Sequence, residues 1–167
     1  MAEKTLHYLS ELSDYKVASN DPDIRGWKIK DRDGRTAGKV DDFIVHRGSE
    51  RVVYVDVEVD KELIDVDRDP FETASSKGVS EYIDRSGENH VIIPIGMIDI
   101  DKANKIVRTD AIDHTTFRNT RRFRKGTAID RDYEVSVYNS YVPSDRRLPE
   151  GDRSDLYERE EFRRRNR

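Results

Sequence analysis

Apolar residues recur at a spacing of two along much of the first two-thirds of the chain, and that period predicts strands. The clearest case is the stretch from Arg51 to Val59. Val53, Val55, Val57 and Val59 share one face, and Tyr54, Asp56 and Glu58 share the other. Trp27 and Ile29 begin a shorter strand. In the next one, Val40, Asp42, Ile44 and His46 alternate with Phe43 and Val45, so the two-face character fails in its middle. Val91 to Ile95 is a short apolar run, and residues 98–101 with 105–108 read as a further hairpin. Turn chemistry separates these segments: Asp31-Arg-Asp-Gly34, Arg47-Gly-Ser-Glu50 and Lys102-Ala-Asn-Lys105, with Gly34 and Asn104 suited to left-handed backbone. Pro94 cannot donate to a ladder and belongs at a strand end or a bulge. Short strands with short turns predict a mainly β domain, a small antiparallel barrel or strongly bent sheet.

The pattern divides the chain. Residues 1–20 form a segment leading into the barrel, residues 21–112 the barrel, residues 113–143 a helical extension, and residues 144–167 a disordered charged tail. Residues 60–89 interrupt the barrel with an insertion too long and polar for a hairpin, and such loops are usually functional or mobile. Asp113 is placed to cap a short helix, and Asp130 a second one with Asp132 and Glu134 in its first turn. Tyr133, Val137 and Tyr141 then lie on one helical face. Tyr133, Val135 and Val137 also alternate, so a strand competes; Pro143 ends either element. Beyond it, Leu148, Leu156, Tyr157 and Phe162 stand among dense mixed charge, too few to repay the entropy of ordering, so the stretch reads as a disordered tail or a frayed helix from Asp155.

Charge changes the picture of partners. Charged residues make up 40% of the chain against 34% hydrophobic, and the net charge is −4, so no global basic field attracts nucleic acid. Cysteine is absent, which excludes disulfides, thiolate metal sites and a thiol nucleophile. No run reaches the roughly 18–20 apolar residues of a membrane helix. A soluble, cytoplasmic protein is expected.

No catalytic constellation emerges. Asp65, Asp67 and Asp69 begin like a calcium loop, but Pro70 and Ser76 stand where glycine and the bidentate glutamate belong. His7, His46, His90 and His114 lack ligand spacing and read as surface or hairpin histidines. Gly34 and Gly38 form neither a phosphate loop nor a dinucleotide fingerprint. No metal, cofactor or enzymatic activity is therefore expected. Arg118, Arg121, Arg122, Arg124 and Lys125 cluster without an intervening acid, a patch that could dock an acidic protein, anionic lipid or RNA phosphate. Phe117, Phe123, Tyr133, Tyr138 and Tyr141 exceed what one short helix is expected to bury, which makes them candidates for a homo-oligomer interface.

The ordered series of segments resembles the PRC-barrel family, named for the cytoplasmic domain of the photosynthetic reaction centre H subunit. The resemblance runs through Asp21-Pro-Asp-Ile-Arg-Gly-Trp-Lys-Ile-Lys-Asp-Arg-Asp-Gly-Arg-Thr-Ala-Gly-Lys-Val-Asp-Asp42, Arg51-Val-Val-Tyr-Val-Asp-Val57, His90-Val-Ile-Ile-Pro-Ile-Gly-Met97 and Lys105-Ile-Val-Arg108. The stretch from Asp132 to Tyr141 resembles the helical segment after the barrel of H subunits. The resemblance implies a non-catalytic assembly or regulatory module, working as a homo-oligomer or on another protein. H subunits cap the membrane subunits and help deliver protons to the quinone site. Residues 1–20 are too short and polar for the H subunit's membrane helix, so a form without that helix is expected, with peripheral membrane contact left open. A carboxylate on the strand matching residues 51–59 takes part in the H subunit's proton relay, which makes Asp56 the corresponding candidate; a solvated aspartate on the outer face is the plainer alternative. The family's ribosome-maturation branch implies a second role, an RNA- or ribosome-associated accessory protein using the basic patch.

Overall fold

Strand β3 (Thr36–His46) is the longest element and organises the sheet. The computed structural model describes residues 6–12, 23–48, 51–60, 90–120, 122–123, 129–148 and 156–162. One edge of β3 pairs along its length with β4 (Arg51–Val59). The other edge is shared: β2 (Lys28–Lys30) takes its beginning and β1 (Leu6–Tyr8) its end, both antiparallel. Beyond β4 lies β5 (His90–Pro94), and beyond β2 lie β7 (Ile106–Arg108) and β6 (Asp99–Asp101). The described residues thus form a seven-stranded sheet of order β5-β4-β3-β2-β7-β6, with β1 off that path.

Two features differ from the expected antiparallel barrel. β2 and β7 run parallel, because the β6–β7 hairpin brings its second strand back alongside the first part of the sheet. Among the described residues, hydrogen bonds do not close the sheet into a ring; β5 and β6 are its two ends. Instead the sheet bends. Register slips in the β3–β4 ladder between Val40 and Asp42 and again between Ile44 and Val45, the stretch where alternation failed in the sequence. An extra residue on one strand bends it and raises its twist. Pro94 ends β5, as its missing N–H requires.

Gly38 allows the close β3–β4 crossing: a Cβ there would lie 2.1 Å from the Glu58 carbonyl oxygen. Gly34 takes the left-handed conformation in the turn after β2, at φ 85°. In the β6–β7 turn the left-handed residue is Lys105, at φ 55°, rather than Asn104. The Asn104 amide is spent on Asp101, donating to Oδ2 at 2.9 Å, and the reversal falls one residue later.

Both expected helices form with the expected caps. Helix α1 (His114–Asn119) starts at Asp113, whose carboxylate accepts from Thr116 N at 2.8 Å. Helix α2 (Arg131–Tyr141) starts at Asp130, which accepts from Tyr133 N at 2.8 Å. The helical period wins over the competing strand because α2 has a surface to pack on: the outer face of β4 and β5. Tyr54 and Asp56 are as buried as the four valines opposite them. The plainer alternative of a solvated Asp56 fails; α2 and the C-terminal segment cover Tyr54, and Asp56 is buried beside His90.

The expected disordered tail is corrected in the same region. Within 144–167, two described stretches are ordered turns, Ser144–Arg146 and Leu156–Glu158 with Glu160–Phe162. Leu156, Tyr157 and Phe162 are buried. Tyr157 and Phe162 stand edge-on to Tyr54, at centroid separations of 6.2 and 5.2 Å. Few apolar residues suffice when each inserts into an existing aromatic cluster instead of building a core of its own. The insertion 60–89, including Asp65, Asp67 and Asp69, lies outside the described residues apart from Asp60, as does most of segment 1–20.

Candidate functional site

The site grows from the outer face of β4 and β5. Glu58 pairs with His90 and Asp56 with Ile92, so Asp56 and His90 are diagonal neighbours on one face of the ladder. Their side chains meet: His90 Nδ1 lies 2.6 Å from Asp56 Oδ1. Asp56 is fully buried and His90 nearly so. A third group arrives from β3. The register slip leaves Asp41 as the extra residue between Val40↔Val57 and Asp42↔Asp56. One ligand atom each of Asp41, Asp56 and His90 then lie within 4.8 Å of one another, with Asp41 the accessible member.

Electrostatics sets the protonation of this group. Burial disfavours the imidazolium of His90, but the Asp56 hydrogen bond and the charges of Asp56, Asp41 and Glu58 outweigh it and raise the pKa. Glu58 itself faces Lys39 Nζ across the ladder at 3.5 Å. On the far side, the His90 backbone exchanges two hydrogen bonds with Phe123, and the Phe123 ring lies 5.6 Å from the imidazole. The site can hold a proton, or a cation in its place, between two carboxylates at the rim of the sheet.

Asp42, next to Asp41, is also buried but serves a different purpose. It accepts from Ser10 Oγ at 2.5 Å and from Phe43 N at 2.9 Å, tying the turn after β1 to β3. A second buried carboxylate, Glu134 in α2, accepts from Tyr54 Oη at 2.8 Å and Tyr157 Oη at 2.5 Å, with Arg131 Nε at 3.3 Å. This is a structural knot joining β4, α2 and the C-terminal segment.

The other candidates fare unevenly. Asp56 sits in the site, but not as a solvated outer-face residue. Arg122 is withdrawn from the proposed basic patch. It is buried, and Nη1 donates to the carbonyls of Phe117 and Thr120 at 2.6 and 2.7 Å, holding the chain end of α1. Burial pushes its pKa down to about 10. Arg121, Arg124 and Lys125 lie outside the described residues, as does the side chain of Arg118. Phe117, Phe123, Tyr133, Tyr138 and Tyr141 are all buried within the chain itself. Tyr141 Oη donates to Ile92 O at 2.8 Å, Tyr133 stands edge-on to Phe123 at 5.7 Å, and Tyr138 Oη donates to Glu161 at 2.9 Å. These rings dock α2 on the sheet and the C-terminal segment on α2, so they are not offered to a second copy.

Sequence reasoning missed His90, read as a hairpin histidine, and Asp41. The signal for Asp41 was the break in alternation, which falls where the β3–β4 register slips between Val40 and Asp42. Nothing local marked His90, because its partner is 34 residues away.

No helix among the described residues is long and apolar enough to cross a membrane. No curated protein matches the chain. The PRC-barrel domain, in general a non-catalytic module of protein interactions, matches residues 16–114, the stretch that holds β2 to β7 and all three site residues. The chain belongs to the PRC-barrel domain family.

Proposed function

We propose that this protein is a non-catalytic assembly module that docks on another protein or on a second copy of itself, in the manner of the H-subunit cytoplasmic domain beside a reaction-centre-type electron-transfer complex. The observation that carries this reading is the PRC-barrel match over 16–114. The placement of Asp56 supports the finer part. A carboxylate on this strand, buried against a titratable imidazole and one step from the accessible Asp41, has the chemistry to hold a proton near a partner's surface. The RNA- or ribosome-associated alternative is weakened, because Arg122 is spent inside the fold. Self-association would use surfaces other than the five aromatics of the helical extension.

Cross-linking of the full chain in native membranes and extract, read by mass spectrometry, tests this. Cross-links to subunits of an electron-transfer complex are expected. Cross-links to ribosomal proteins or RNA instead would overturn the reading. Sedimentation equilibrium at micromolar concentration decides separately whether a second copy is the partner.

A further inference from the structure

We propose that Asp41, Asp56 and His90 form a binding site for one divalent transition-metal cation, with an imidazole nitrogen and two carboxylates as ligands. The proposal goes beyond the assembly role and does not depend on it.

Geometry comes first. The three residues stem from three adjacent strands, β3, β4 and β5, and their donor atoms lie within 4.8 Å of one another. Ligands around a tetrahedral zinc ion at about 2.0–2.1 Å are about 3.4 Å apart. The Asp56–His90 contact is shorter, at 2.6 Å, because a proton bridges the two atoms. A cation replaces that proton and opens the pair.

Charge balance favours the exchange. The face carries Asp41 from β3, Asp56 and Glu58 from β4, and His90 from β5; Lys39 is the cation beside Glu58. With a protonated imidazole, Asp41, Asp56 and His90 sum to −1. With neutral imidazole and a divalent ion they sum to zero, which suits a largely buried site. One nitrogen and two oxygens match zinc and its neighbours in the first transition row better than calcium, which takes six to eight oxygens. Three protein ligands leave a fourth position for water on the Asp41 side, the accessible one. Local sequence spacing could not show this site, since its ligands are at 41, 56 and 90.

The test uses the full chain, purified without metal affinity, stripped with chelator, and titrated with Zn2+ by calorimetry alongside elemental analysis. One Zn2+ per chain is expected. Asp41→Asn should weaken binding about tenfold or more while leaving the circular dichroism unchanged, since Asp41 is the accessible ligand. His90→Asn should abolish the uptake. Asp41→Asn serves as the test on its own if His90→Asn fails to fold. Absence of stoichiometric uptake, uptake indifferent to Asp41→Asn, or uptake lost instead on His46→Gln would each overturn the proposal.

Discussion

His90 Nδ1 sits 2.6 Å from Asp56 Oδ1 with both side chains inside the fold, so the β4–β5 pairing is held by a proton as well as by backbone hydrogen bonds. An ion pair this buried contributes only if its charges are fully compensated. Asp41 and Glu58 add further negative charge, which makes the proton on His90 the compensating element.

This gives a pH dependence with a definite sign. Burial lowers the His90 pKa, but the Asp56 hydrogen bond and the surrounding carboxylates raise it further, so the folded value exceeds the unfolded one. The stabilisation is then complete below about pH 6.5, the ordinary histidine value, and is lost as pH rises through the folded pKa. The stability difference between wild type and His90→Asn, measured from urea midpoints on metal-free protein in the presence of chelator, should shrink as pH rises above about 6.5. His46 works in the opposite sense: burial, then Arg51 and Arg131, lower its pKa. The difference between the two proteins cancels that contribution. A difference that is flat or grows with pH would contradict the assignment.

The C-terminal segment makes a second prediction. Phe162 is 1% exposed and lies against Tyr54, Tyr157 and Tyr138. Phe162→Ala should cost about 3–5 kcal/mol, the range for a large core aromatic. A chain ending at Pro143 should lose at least as much, since Leu156 and Tyr157 go too. Denaturant unfolding of both variants checks this; a truncated chain as stable as the whole would show the segment to be dispensable.

The contrast between β4 and this segment shows how far the sequence can be read. The four valines of β4 announce the strand and its inner face, because their period is local. Both helix caps are equally local, since Asp113 and Asp130 each bond three residues ahead. The outer face of β4 was illegible for the opposite reason. Tyr54 and Asp56 read only as members of the polar face opposite the valines, yet what covers or pairs them comes from 134, 157 and 162 in one case and 90 in the other. Polar residues with distant partners look the same in sequence as polar residues in water. Arg122 misleads similarly: within a run of cations, only its neighbours in space reveal that it is buried.

Gly38 supplies a third prediction. The Cβ of an alanine would sit 2.1 Å from the Glu58 carbonyl oxygen and 3.0 Å from the Val59 Cα. Both are backbone atoms of the paired strand, so no side-chain rotation relieves the contact. Gly38→Ala should cost about 3 kcal/mol or more, by forcing β3 and β4 apart. Loss of amide protection at Glu58 and Val59 in hydrogen exchange would locate the damage; a melting temperature equal to wild type would refute the close crossing.

The last prediction concerns the Glu134 knot, where charge and hydrogen bonding can be separated. Its oxygens serve Tyr54, Tyr157 and Arg131. Burial raises the Glu134 pKa, and the two tyrosine hydrogen bonds with Arg131 offset this only in part. A carboxyl whose folded pKa is raised stabilises the fold fully below its unfolded value, and the contribution fades as pH rises through the folded one. At neutral pH the negative charge is thus a small net burden, while the acceptor oxygen is what the site needs. Glu134→Gln keeps an oxygen for the two tyrosines and removes the charge; Arg131, partly exposed, can turn to water. It should cost less than about 1 kcal/mol, since only the Arg131 contact is lost. Glu134→Leu leaves two buried hydroxyls without an acceptor, at about 1–3 kcal/mol each. The leucine variant should therefore be less stable than the glutamine variant by about 2 kcal/mol or more. Equal losses in the two variants would mean that the charge, and not the acceptor, holds β4, α2 and the C-terminal segment together.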